Sequence, residues 1–95
     1  MSSPKLHVSS GCGEEMVDFG FKEIVNSFEK YKLEDKFEIF NVCTDIKHNF
    51  DKKFGGKWSV IIYNTDYGNS TIDATAEYMK FVFRNYEIKI IKTGY

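Results

Sequence analysis

Apolar side chains return at different periods along the chain, and each change of period marks an element. In "KLHVSS", residues 5–10, Leu6 and Val8 lie on one side and His7 on the other, the alternation of a short edge strand. "GCG" breaks it, and Glu14 and Glu15 then suit a first helical turn, where free N–H groups favour negative charge. From Glu14 to Tyr31, Val17, Phe21, Ile24, Val25 and Phe28 form one helical stripe. A second stripe over 34–54 carries Phe37, Phe40, Cys43, Ile46, Phe50 and Phe54. Gly55 and Gly56 end it, since glycine takes a left-handed cap without steric cost, and Lys52 and Lys53 complement the dipole of the last turn.

After the glycines the period becomes two. "KWSVIIY" puts Trp58, Val60 and Ile62 on one face and Ser59, Ile61 and Tyr63 on the other, the two-sided pattern expected of an interior strand. "NSTIDATA", 69–76, reads as a more polar strand, and Glu77–Phe83 with Tyr86–Lys92 as a hairpin joined by Arg84 and Asn85. These elements predict an α+β fold, two helices packed on one face of an antiparallel β-sheet, in a single domain over 1–95.

Composition narrows the function. A chain of 95 residues with 42% hydrophobic and 17% aromatic content supports one core but leaves much apolar surface, which association into a dimer would cover. A formal charge of -1 supplies no field toward nucleic acid or an anionic membrane. No apolar run approaches the roughly 18 residues that span a bilayer, so a soluble, intracellular protein is expected. Cys12 and Cys43 lack the spacing of a zinc site or a disulfide scaffold and are expected to be reduced thiols.

Catalytic constellations are scarce. Cys43 and His48, five apart on one helix, point about 140° away from each other. Cys12 with His7 lacks a third, orienting group, although a helix start can lower a thiol pKa. No phosphate-binding loop, zinc-protease motif, nucleophile elbow or calcium loop is present, so no enzyme, cofactor or metal is expected. Met79, Phe81 and Phe83 share a face and read as core in preference to a base-stacking platform. The polar strand with Asn69, Ser70, Thr71 and Asp73 is either a solvated edge or a surface that recruits another strand through its backbone.

Several segments, in order and spacing, resemble the dynein light chains of the eight-kilodalton class: "EEM" at 14–16, "EKY" at 29–31, "FDKKFGGKW" at 50–58, "YGNS" at 67–70 and "IKTG" at 91–94. The resemblance implies a non-enzymatic, strand-exchanged homodimer, with Trp58, Ser59, Ile61 and Tyr67 at the dimer interface. It also implies that Tyr67, Gly68, Asn69, Ser70, Thr71, Ile72, Asp73 and Thr75 form the strand to which an extended partner segment adds. Ser59 stands where the family has an interface histidine, and Lys80 and Val82 where it has tyrosines on the groove floor. The implied role is a dimeric hub in a dynein motor complex, cytoplasmic and microtubule-associated, binding a dynein intermediate chain or other proteins. The alternative is a divergent axonemal-type light chain with one fixed partner and no general peptide groove.

Overall fold

A computed structural model describes residues 4–31, 38–64 and 77–94. Its elements run β1 (Lys5–Ser10), α1 (Glu14–Tyr31), α2 (Glu38–Phe54), β2 (Lys57–Asn64), β3 (Tyr78–Phe83) and β4 (Tyr86–Gly94). Two helices pack on a four-stranded antiparallel sheet of order β1-β3-β4-β2. The strand expected over 69–76 and the first residues expected of the second helix lie outside the described residues.

The core forms where the two helices meet the inner face of the sheet; Phe40, read as part of the second stripe, is instead 76% exposed, and Val42 takes a core position. Ile24 and Phe28 of α1 and Val42, Ile46 and Phe50 of α2 are fully buried against Trp58, Met79, Phe81, Ile88 and Ile90. Rings meet at angles, which aromatic quadrupoles favour: Phe28 packs edge-on to Phe83 at 5.1 Å, Phe21 to Phe81 at 5.0 Å, and Phe50 to Trp58 at 5.0 Å. Gly20 lets α1 settle onto β3, because a Cβ there would stand 2.8 Å from Phe81 Cζ. The helices are tied to each other by Asp45, which accepts hydrogen bonds from Tyr31 Oη at 2.8 Å and Lys30 Nζ at 3.1 Å.

"FDKKFGGKW" is a clamp between α2 and β2. Asp51 Oδ1 accepts the Trp58 backbone N–H at 2.8 Å, its backbone carbonyl accepts Gly55 N–H at 3.0 Å, and Trp58 Nε1–H donates to Gly55 O at 3.0 Å. Gly55 and Gly56 turn the chain at φ 73 and φ 80. A Cβ on Gly56 would come within 2.7 Å of Gly94 O, so the turn needs glycine for space as well as for conformation.

Two expectations are corrected. β2 is an outermost strand among the described residues, not an interior one. Apolar residues on both of its faces carry no information about which edges are paired: Trp58 and Ile62 enter the core, whereas Ile61 on the other face is 49% exposed. Leu6 and Val8 do not share a face either. Leu6 lies opposite Phe81 and Val8 opposite Lys80, neighbours that point to opposite sides of β3. The register shifts between them, so His7 is the extra residue of a bulge that turns the strand over.

Candidate functional site

Residues directly opposite on neighbouring strands share a face, so the register lays out the side of the sheet turned away from the helices. One row across it reads Lys5, Val82, Glu87, Tyr63; the next Val8, Lys80, Lys89, Ile61; the third Ser10, Tyr78, Ile91, Ser59. Apolar and aromatic side chains therefore surround a charged centre. Glu87 is 4% exposed and Lys89 1%, which is unusual for a face turned away from both described helices.

Lys80 Nζ lies 2.5 Å from Glu87 Oε1, with side-chain exposures of 14% and 5%. Removing a carboxylate from water costs several kcal/mol unless a cation accompanies it, and Lys80 does so here. Lys89 stands directly opposite Lys80 and extends its ammonium over the Tyr63 ring, 5.0 Å from the centroid, toward the β2 side of the sheet.

Among the described residues, β2 is the outermost strand on one side of this face. Its outward Ile61 is 49% exposed and Ser59 is half-buried, whereas Trp58 is fully buried in the chain's own core. At the other border, β1 carries Pro4 and Lys5 at its start and the bulge at His7, devices that discourage strand pairing. Among the described residues, β2 has no such protection along Trp58–Tyr63. Of the residues expected to meet partners, Trp58, Ser59 and Ile61 fall within the described chain, while Tyr67, Gly68, Asn69, Ser70, Thr71, Ile72, Asp73 and Thr75 lie outside it.

The candidate thiols have the wrong character for nucleophiles. Burial, with the Glu77 carboxylate beside it, pushes the Cys12 thiol up to about 11, against the expectation that a helix start would lower it. Its Sγ faces the carbonyls of Ser10 and Tyr78, both at 3.5 Å. Burial also pushes Cys43 up to about 11. Among the described residues no three His, Cys, Asp or Glu side chains converge as a metal site, and no helix is long and apolar enough to cross a membrane. On the helical side, a shallow groove of about 460 Å³ is lined by Glu14, Glu15, Asp18, Phe19, Lys22 and Lys53, with no nucleophile among them.

The sequence did not reveal the charged centre. Glu87 and Lys89 alternate with Ile88 and Ile90 in "YEIKIIK", which reads as an ordinary solvent face; only the register shows them gathered with Lys80 and enclosed.

Residues 6–93 match the family model for dynein light chain type 1. No curated protein matches the chain in sequence. The fold is similar to the dynein light chain-like domain of the Fasciola hepatica calcium binding protein FhCaBP2, at TM-score 0.77 and 14% identity, over 98% of this chain and 94% of that one. It is also similar to the dynein light chain-like domain of CsTAL3, at TM-score 0.79 and 16% identity, over 97% and 94% of the two chains. At such identities these likenesses speak for the fold, and the family match rests on the sequence itself: the chain belongs to the dynein light chain type 1 family.

Proposed function

We propose that this protein is a non-enzymatic light chain of a dynein motor complex, a homodimeric hub that captures extended segments of other proteins by β-strand addition. The observation that carries the proposal is the outermost place of β2 among the described strands, with Ile61 49% exposed beside it, in a chain of this family. An unpaired strand edge offers main-chain N–H and C=O groups to any extended chain that reaches it. In this reading Ser59 and Ile61, on the strand positioned by the Trp58 anchor, meet the second copy together with Tyr67. Residues 67–75 cross to the partner and present Asn69, Ser70, Thr71 and Asp73 to the captured segment. The whole chain acts as one domain of the cytoplasm and the microtubule cytoskeleton, with a dynein intermediate chain among its partners and no part in nucleic-acid or membrane binding.

The test is an array of decapeptides tiled across a dynein intermediate chain, probed with wild type, Ser70→Pro and Asp73→Lys. Contiguous hits on wild type are expected, lost in Ser70→Pro because proline removes a ladder donor. Asp73→Lys should change which peptides bind while the dimer persists. An empty array over a stable dimer would replace the hub with a light chain that serves one fixed partner.

A further inference from the structure

The helical side of the chain carries a surface that strand addition does not use. Two hollows of about 460 and 490 Å³ lie along the seam between α1 and α2 and meet at Phe19 and Lys53. The α1 wall bears Glu14, Glu15 and Asp18, with Glu23 further along, and the α2 wall bears Lys52 and Lys53. Lys22 stands at the rim, shared with a neighbouring hollow beside Pro4 and Val25. Between the walls the floor is aromatic. Phe19 packs against Phe50 at 5.1 Å and edge-on to Phe54 at 5.4 Å, so the floor is continuous with the core. Lys53 Nζ covers it, 4.9 Å from the Phe19 centroid and 3.9 Å from Glu15 Oε1. The Lys53 side chain is 45% exposed and that of Glu15 82%, so this pair is weak and the cation swings aside at little cost.

Such a groove suits a helix. Its walls are helical turns whose backbone groups are largely bonded within the helix, so an extended segment would find no partner there for its own N–H and C=O groups. A helix arrives with its backbone satisfied. From Glu14 to Glu23 the acidic wall runs about 13 Å, or two and a half turns, a length over which a third helix can lie in the seam. We infer that this groove docks an amphipathic helix of another protein, one that carries an apolar stripe between a basic flank and an acidic flank. The stripe meets Phe19 as Lys53 moves off it, the basic flank faces the carboxylates of α1, and the acidic flank faces Lys52 and Lys53. All the lining residues belong to the two helices, so this surface is apart from β2 and the inference stands or falls separately from strand addition.

The test uses two synthetic peptides of about 18 residues and identical composition, each with a leucine stripe along one helical face. In one, the lysines lie on one flank and the glutamates on the other; in the second, both kinds are interspersed on both flanks. Titration followed by backbone amide shifts should show the segregated peptide binding about tenfold more tightly, the ratio that two or three partly screened ion pairs supply. Shifts should gather at Phe19, Glu23, Asn49 and Lys53 and spare β2. Asp18→Lys with Lys52→Glu puts one wrong charge on each wall, at exposed positions, and should bring the two peptides to parity. Far-UV spectra establish that the variant keeps its fold; should it not, Asp18→Asn with Lys52→Gln takes its place and should at least halve the ratio. No binding below about 1 mM, equal binding of the two peptides to wild type, a preference that survives the wall variants, or shifts centred on β2 would overturn the inference and leave strand addition untouched.

Discussion

Asp51 joins the end of α2 to the start of β2, and replacing it measures what that clamp contributes. Its Oδ1 accepts the backbone N–H of the buried Trp58 at 2.8 Å, and its Oδ2 contacts Lys47 Nζ at 2.6 Å. In Asp51→Ala the Trp58 N–H loses its acceptor, which costs about 1–3 kcal/mol for a buried donor. The Lys47 pair, with side chains 47% and 28% exposed, adds about 0.2–1 kcal/mol. We expect a loss of about 2–3 kcal/mol, or about 10 °C or more in Tm for a domain of this size. Asp51→Asn keeps an acceptor for Trp58 and should lose only about 0.5–1 kcal/mol. The hydrogen bond from Lys47 is the main cause that holds the Asp51 carboxyl below its usual range, against some desolvation and with help from the Trp58 N–H. A folded-state pKa that is depressed contributes stability above the unfolded value, and the contribution is lost as pH falls through the folded one. The gap between wild type and Asp51→Ala should therefore hold at neutral pH and shrink below about pH 4. The assay is urea unfolding at one fixed protein concentration, since dimerisation would otherwise move the midpoint. A loss under about 0.5 kcal/mol for Asp51→Ala, or equal losses for Ala and Asn, would refute this account of the motif.

Gly20→Ala should destabilise by about 1–2 kcal/mol although alanine is the better helix former, because the new Cβ meets Phe81 Cζ at 2.8 Å. Adding Phe81→Leu should recover part of the loss in thermal melts. Cys12 and Cys43 should react with iodoacetamide roughly a hundredfold more slowly at pH 7.4 than a free thiol, as their thiolates are scarce, and labelling followed by mass spectrometry reads this. Dimerisation should vary little between pH 5 and 7 in sedimentation runs. Ser59 of β2 carries no titratable group, and His7 and His48 belong to β1 and α2.

Much of the fold was legible because local patterns agreed with it. The stripe over 14–31 became α1 with both ends as read, since its apolar spacing, its acidic first turn and the "GCG" break all point the same way. The Arg84–Asn85 hairpin followed from two alternating runs, although Arg84 takes φ 58, a conformation its residue type does not advertise. What stayed hidden is set by pairing between distant strands. The bulge at His7, the outermost place of β2 and the gathering of Lys80, Glu87 and Lys89 all depend on register across the sheet, which leaves no local signature. The resemblance carried by "FDKKFGGKW" identified the family, and the clamp of Asp51, Gly55 and Trp58 gives the physical reason those residues occur together.

Hydrogen exchange at the β2 edge tests the central claim most directly. Along Lys57–Asn64, antiparallel pairing with β4 engages backbone groups on one side of the strand, and those of alternate residues point away from β4. If a second copy pairs there, the outward amides exchange slowly at high protein concentration and faster on dilution. Sedimentation over the same range then passes from twice the 11.1 kDa of the chain toward that value. A mass of one chain at every concentration, with outward β2 amides exchanging as freely as exposed ones throughout, would contradict strand pairing at this edge and the function built on it.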